Sequence, residues 1–453
     1  MYAVTNPSTG EVLAEYPTAT DEQVEAAVAS ATTAYRTWAR TSSPAERAEL
    51  VRRLAQLHRD RQDELAAIIV REMGKPWEHA TGEVEFAADI IEFYADNWEK
   101  ITGDAPLDIL GEGSAVVRRT PIGPLLGIMP WNFPYYQVAR FAAPNLVVGN
   151  TIILKHAPQC PESAAAIQQM CLDAGFPEGA YVNVYASNEQ AATIIADPRI
   201  QGVSVTGSER AGSAVAALAG QHLKKVALEL GGSDPFILLS TDDLDAVVEQ
   251  AVEARLDNSG QSCNAPKRFI VDESLFDAFA EKFTAAMTGT VMGDGFDESS
   301  EIGPLSSLAA AERLEAQVAT AVEQGATLVT GGTRDGAFYS PTVLTDVTPD
   351  MDVYRQELFG PASVIYRVSG EEEAVALAND TAYGLGSYVY TTDAEQAERV
   401  ADAIDAGMVY VNCVLADSPE LPFGGVKRSG TSREMGLLAA DEFVNKKLIR
   451  IAG

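Results

Sequence analysis

The chain reads as an α/β protein built on parallel sheets, and three observations carry that reading. Helices dominate roughly the first hundred residues, short apolar strands alternate with helices from residue 122, and the alternation begins afresh after about residue 232. A chain of 453 residues suits two or three domains around a large core.

Thr20 before Asp21-Glu22-Gln23 and Ser43 before Pro44 read as helix N-caps, because a hydroxyl oxygen there accepts from the free N–H groups of the first turn. Leu50, Leu54 and Leu57 then recur at helical spacing. Residues 103–119 read as extended, with glycines on either side of alternating apolar and basic residues. The run 151–155 predicts a buried strand, followed by a helix entered near Pro161 and stopped at Gly175. Further strands are expected at 181–185, 203–206 and 225–229, with a helix over 207–218. In the second series, helices near 242–257 and 274–287 surround a strand at 268–271, and βα units continue from 318 to 412. The apolar and basic segment 442–451 predicts a strand added to a neighbour.

The charge balance narrows the function. Lys and Arg number 33 against 65 Asp and Glu, a net −32, which repels nucleic acid and anionic lipid surfaces. A composition of 46% hydrophobic and 22% charged residues excludes wholesale disorder. Cys160, Cys171, Cys263 and Cys413 show no CxxC spacing, so a reducing, cytoplasmic setting is expected. The four histidines, His58, His79, His156 and His222, have no zinc-site spacing, so no metal is expected. The first residues lack a basic segment followed by an apolar one, and the longest apolar stretch, around 121–131, is short and broken by Pro and Gly. Neither a signal peptide nor a membrane span is expected.

Four segments carry candidate chemistry. Cys263 stands in Gly-Gln-Ser-Cys-Asn between a helix and a strand, a place for a nucleophile; the residues alone leave open an inert buried thiol or a Cys–His hydrolase. Glu229 ends an apolar strand, where open α/β sheets place their ligands. It reads as a general base or as a capping carboxylate. Thr206, Gly207 and Ser208 form a strand, a turn and a helix start whose N–H groups suit a pyrophosphate, although the pattern is neither GxGxxG nor a P-loop. Asn132, between aromatics and prolines in PWNFP at 130–134, sits on a rigid turn that suits an oxyanion donor or a plain loop.

Together these segments resemble the aldehyde dehydrogenase superfamily over nearly the whole chain. NPSTGEVLAEYP at 6–17, PWNFP, VTGSERAG at 205–212, LELGG at 228–232, GQSCNAPKR at 260–268, ELFGP at 357–361 and PFGGVKRSG at 422–430 stand in family order. Glu229 and Cys263 lie 263 − 229 = 34 residues apart, as the family pattern has them. KHAP at 155–158, LELGGSDPFI at 228–237 and FGGVKRSG make the chain most similar to bacterial succinate-semialdehyde dehydrogenases.

The resemblance implies that Cys263 attacks the aldehyde, that the Asn132 side chain and the Cys263 N–H hold the oxyanion, and that Glu229 activates the water that releases the acid. It implies that Lys155 binds the adenosine ribose, Gly207 and Ser208 the pyrophosphate region with Thr206 beside them, and Glu357 the nicotinamide ribose, with Phe359 adjacent. Trp131, Leu230 and Gly231 are expected to line the nicotinamide pocket. Many NAD-selective members carry Glu three residues after the Lys, where this chain has Pro158; NADP is therefore expected to be accepted and preferred over NAD. Arg140, six residues after Pro134, matches a carboxylate-binding Arg of the succinate-semialdehyde enzymes. A second Arg of some members is replaced here by Asp257 and Asn258, so a broader range, for instance glutarate semialdehyde, is expected. A CoA-acylating enzyme and a non-catalytic binding protein of the same fold are the alternatives, and Glu229 speaks against the first.

The resemblance further implies a Rossmann-type cofactor domain at 1–102 and 122–231 and an α/β catalytic domain at 232–428. A β oligomerisation arm is expected at 103–121 and 429–453. A homodimer or homotetramer acting on a small semialdehyde follows, with no nucleic-acid or membrane partner.

Overall fold

A computed structural model describes residues 1–453. Both expected N-caps form: Thr20 and Ser43 each accept from the backbone three residues on, and Gln23 and Glu46 reach back to close the capping boxes. Gly175, at φ 99°, ends the helix Pro161–Ala174 in the left-handed region that favours glycine. An antiparallel hairpin of Tyr2–Thr5 and Val12–Tyr16, which the sequence reading did not include, precedes these helices.

The first large sheet has five parallel strands in the order Tyr181–Asn183, Thr151–Lys155, Pro124–Ile128, Gly202–Thr206, Lys225–Glu229. Every residue of Thr151–Lys155 and Gly202–Thr206 is buried, as expected of central strands covered on both faces. The chain builds outward from Pro124–Ile128 on one side, then returns to add Gly202–Thr206 on the other. That reversal leaves a crevice at the carboxyl ends of the two strands.

The second sheet has seven strands. Their order is Thr327–Thr330, Thr342–Thr345, Ala362–Val368, Arg268–Asp272, Pro235–Leu238, Tyr388–Tyr390, Tyr410–Val411. All pairs are parallel except the first. A third sheet joins Val444–Ile451, Ser114–Pro121 and Ala105–Leu107. The C-terminal strand pairs along its whole length with Ser114–Pro121 of its own chain, which joins the two segments of the expected arm in one sheet. The segment before it, Ser429 to Glu434, runs back beside Glu229, so residues assigned by resemblance to the arm take part in the site.

The largest apolar cluster joins the helices Pro44–Asp60, Gln62–Met73, Trp77–Asp96 and Tyr136–Val148 to the five-stranded sheet. It also takes in Leu385, Met408, Phe423 and Met435, loop residues that follow the seven-stranded sheet's strands or lead into them, while the strands of that sheet pack in clusters of their own.

Candidate active site

The candidate nucleophile sits on a turn of unusual backbone. Asn258, Ser259 and Gly260 have φ of 50°, 56° and 74°, three consecutive left-handed residues between the helix Leu244–Leu256 and the strand Arg268–Asp272. Such a run is strained for residues with a Cβ, and hydrogen bonds hold it. Ser259 Oγ accepts from Gly303 N–H at 2.9 Å, and Asn258 Nδ2 donates to the Asn132 carbonyl at 2.8 Å and the Gln261 carbonyl at 3.3 Å.

Asn132 is buried after the strand Pro124–Ile128. Its Nδ2 gives one hydrogen to the Gln261 carbonyl at 3.0 Å, which leaves the second N–H of the amide for another acceptor. Trp131 beside it meets Phe359 edge to face, with centroids 5.7 Å apart. The two rings line a cavity of about 260 Å³. Cys263, Glu229 and Asn132 all line this cavity, together with Trp131, Thr206, Gly207, Ser208, Leu230, Gly231, Glu357 and Phe359. A Cβ on Gly231 would push the Glu357 carboxylate from its place.

Burial governs the acid–base groups. It pushes the Cys263 thiol up to about 12, against the pull of the Arg140 and Lys267 cations. Burial, followed by the neighbouring Glu434 charge, holds the Glu229 carboxyl far above the usual carboxylate range. Glu229 Oε1 accepts from Ser432 Oγ at 3.0 Å, and its Oε2 has no partner. Gly430, at φ 138°, lets the following chain pass the Leu228 carbonyl and bring Ser432 into place. Burial thus favours the protonated form of both groups, and one oxygen of the Glu229 carboxyl is unpaired.

An adjoining slot of about 310 Å³ has apolar walls from Ile128, Ala191, Ile195, Val215 and Leu218. Lys155 lines it with 5% of its surface exposed and no hydrogen-bond or ion-pair partner, its Nζ 5.8 Å from the Tyr2 ring centroid. A buried ammonium without an anion is costly, so the slot is built to receive one. Arg210, which the sequence reading did not single out, lines the same slot, exposed and without an ion pair. Flat apolar walls with two cations fit an adenosine carrying a phosphate. Gly207, where an added Cβ would meet nothing within 4 Å, leaves room between slot and cavity. These residues fit a nicotinamide dinucleotide. Pro158 is exposed, lines neither space, and accepts from Ala3 N–H at 3.0 Å; its contribution to the slot is the absence of a carboxylate.

Arg140 departs from the expectation of an open carboxylate clamp. Fully buried on the helix Tyr136–Val148, it does not line the cavity. Its Nε lies 2.7 Å from Glu434 Oε2, Nη1 donates to Tyr136 Oη at 3.0 Å, and Nη2 donates to Gln137 Oε1. The Tyr136 and Phe423 ring centroids lie 4.6 and 4.4 Å from the guanidinium carbon. The physical reason is desolvation: a guanidinium at this depth requires a carboxylate, and the chain itself supplies Glu434. Glu434, Ser432 and Lys267 are supporting residues that sequence reasoning passed over, and Asn258 was noted only as standing where some members carry an Arg. Ser432 and Glu434 lie just past the PFGGVKRSG motif, and Lys267 lies inside GQSCNAPKR, so only their burial and contacts were hidden.

The profile of the aldehyde dehydrogenase family matches residues 1–449. A succinate-semialdehyde dehydrogenase [NADP(+)] of Deinococcus radiodurans is 50% identical over 452 residues, 99% of this chain and 94% of that protein. One of the same name from Mycolicibacterium paratuberculosis is 42% identical over 454 residues, 99% and 96% of the two chains. Among solved structures, succinic semialdehyde dehydrogenase from Streptococcus pyogenes in complex with NADP+ superposes with a TM-score of 0.98 at 40% identity, over 100% of both chains. Aldehyde dehydrogenase 21 from Physcomitrella patens in complex with succinate, its reaction product, superposes with a TM-score of 0.94 at 34% identity over 100% of this chain and 95% of that one. By fold, by site and by these likenesses, the chain belongs to the aldehyde dehydrogenase family.

Proposed function

We propose that the protein oxidises succinate semialdehyde to succinate with NADP+, through a thioester on Cys263. The observation that carries the chemistry is the convergence of Cys263, Asn132 and Glu229 on one cavity that opens beside Glu357 and Gly207. The full-length relatives named for this activity support the substrate and the cofactor.

After losing its proton, the Cys263 sulfur bonds to the aldehyde carbon. Asn132 Nδ2, with its second hydrogen unspent, and the Cys263 N–H hold the resulting oxyanion; one such donor contributes about 3–4 kcal/mol to the barrier. The bound nicotinamide supplies the acceptor for the hydride. Glu229, once ionised, takes a proton from the water that attacks the thioester, and Cys263 leaves as thiolate. The burial that raises the Glu229 carboxyl also makes it a stronger base when ionised. The net reaction takes aldehyde, NADP+ and water to carboxylate, NADPH and two protons. A carboxyl in this position favours water over a thiol as acyl acceptor, so hydrolysis is favoured over CoA acylation.

Lys155 and Arg210 give the cofactor its preference, since both cations reach the slot and no carboxylate stands at Pro158 to repel a 2′-phosphate. Arg140 is engaged by Glu434, and the guanidinium at the cavity wall is that of Arg313, exposed and without an ion pair. A long exposed side chain adjusts to substrates of different length, so glutarate semialdehyde is accepted as well. Following NADPH absorbance with both semialdehydes, both cofactors, and with or without CoA tests this reading. Turnover independent of CoA and faster with NADP+ is expected; strict NAD+ dependence or a requirement for CoA contradicts it.

The outer edge of Val444–Ile451 has no strand beside it, and Leu448 and Ile451 are 62% and 61% exposed. That edge supports a homodimer or homotetramer, which light scattering after gel filtration checks; a monomer contradicts it. Four cysteines without a disulfide support a reducing, cytoplasmic setting. No helix is long and apolar enough to cross a membrane.

A further inference from the structure

The nucleophile's turn rests on a buried cation. Lys267 stands four residues after Cys263, at the entry to the strand Arg268–Asp272, and is 1% exposed. Its backbone is clamped on both sides: its N–H donates to the Asp234 carbonyl at 3.0 Å, and its carbonyl accepts from Val364 N–H at 2.9 Å. The side chain turns back toward the nucleophile. Nζ donates to the Cys263 carbonyl at 2.7 Å and the Ser262 carbonyl at 2.9 Å, and lies 3.7 Å from Glu357 Oε1. Two carbonyls and a carboxylate around one nitrogen are the surroundings of an ammonium.

The Ser262 carbonyl and the Cys263 N–H belong to the same planar peptide unit. An ammonium on that oxygen draws charge through the amide and strengthens the N–H as a donor, most of all where water is excluded. Glu357 faces the other side of the ammonium. It is also fixed by the Gly232 N–H at 3.0 Å and lines the cavity where the nicotinamide ribose is placed.

We propose that Lys267 is a positioning residue: it polarises the peptide that donates to the oxyanion, favours the thiolate of Cys263, and is held in balance by Glu357. This rests on the reading of Cys263 as the nucleophile. The other charged groups facing Cys263 are Arg140, which favours the thiolate, and Asp234 and Glu357, which oppose it. Lys267 itself faces Glu357, Asp234 and Arg255, while Asp417 holds the adjacent Asn264 side chain at 3.0 Å. Glu357 therefore connects two events, because a ribose hydroxyl that donates to this carboxylate weakens its hold on Lys267 and leaves more positive potential at the sulfur.

The test is the rate at which iodoacetamide alkylates Cys263 in the cofactor-free enzyme, read peptide by peptide by mass spectrometry between pH 7 and 9. Lys267→Met is expected to slow alkylation about tenfold at each pH, the change for a shift of one pH unit in the thiol. Its kcat should fall while its KM for the aldehyde stays close to wild type. Glu357→Gln leaves Lys267 unbalanced and is expected to speed alkylation, also about tenfold. A folded Lys267→Met enzyme alkylated at the wild-type rate overturns the proposal, and so does a Glu357→Gln enzyme that is not faster. If Lys267→Met does not fold, Glu357→Gln decides alone. Neither substrate nor cofactor is present in this measurement, so its outcome is separate from that of the NADPH assay, which tests the reaction itself.

Discussion

Asn258 Nδ2 donates to the Asn132 carbonyl at 2.8 Å, so the residue that bends the nucleophile's turn also holds the loop carrying the oxyanion amide. Asn132 answers by donating to the Gln261 carbonyl at 3.0 Å. The two loops come from different sheets, and these amides set their separation. Asn258→Gly keeps the left-handed backbone and removes only the amide. The expected result is a kcat about ten- to a hundredfold lower, from a loss of about 1–3 kcal/mol for buried polar groups left unpaired, with NADP+ affinity little changed. Steady-state kinetics with a fluorescence titration of the cofactor separate the two quantities.

Arg140 is engaged by Glu434, Tyr136 and Gln137, so its loss should be felt in the fold and not in substrate choice. Breaking a buried pair costs about 3–5 kcal/mol, and Arg140→Leu should lower the unfolding temperature markedly. Its kcat/KM should fall by the same factor with succinate semialdehyde and with an uncharged aldehyde such as hexanal. A loss confined to the semialdehyde would return Arg140 to substrate binding.

The acid–base groups set a clear pH dependence. Burial raises the Cys263 thiol to about 12, so across pH 7–9 the thiolate is the minor form and grows about tenfold per unit. The kcat/KM for the semialdehyde should rise with that slope and not level off below pH 9. Stability runs the opposite way. The unfolded chain ionises its thiol near the ordinary value and the folded one does not, so folding weakens as pH rises past that ordinary value. A plateau in kcat/KM below pH 9 contradicts the raised thiol described for Cys263.

Arg210 and Lys155 face one slot without ion-pair partners. Removing a charge-assisted bond to phosphate costs about 1.5–3 kcal/mol. Arg210→Ala should therefore raise KM for NADP+ at least tenfold and leave KM for NAD+ unchanged. Equal effects on both cofactors would place Arg210 outside the 2′-phosphate site.

Much of this arrangement was legible in the sequence. The strands 151–155 and 225–229 and the capped helices follow from local periodicity and hydroxyl caps, whose causes lie within a few residues, while most residues around the cavity were placed by the family resemblance. Arg140 shows where that reading ends. Its neighbour Glu434 is almost three hundred residues away in the chain, and nothing near Arg140 tells whether its guanidinium faces a ligand or another side chain. Lys267 lies within a recognised motif, yet its contact with Glu357 depends on how two distant loops meet. Arg210 sits in a helix start legible as a phosphate site, yet that its side chain and Lys155 face one slot depends on how two strands and their helices pack. The N-terminal hairpin was obscured by its short strands.

The central claim is that Cys263 carries the acyl group and Glu229 releases it. Glu229→Gln enzyme, mixed with succinate semialdehyde and NADP+ and quenched early, tests this by mass spectrometry of its peptides. The account predicts a burst of NADPH matching the enzyme concentration and a succinyl group on the peptide containing Cys263, followed by slow turnover. Wild-type turnover without a burst, or a succinyl group on any other residue, would contradict it.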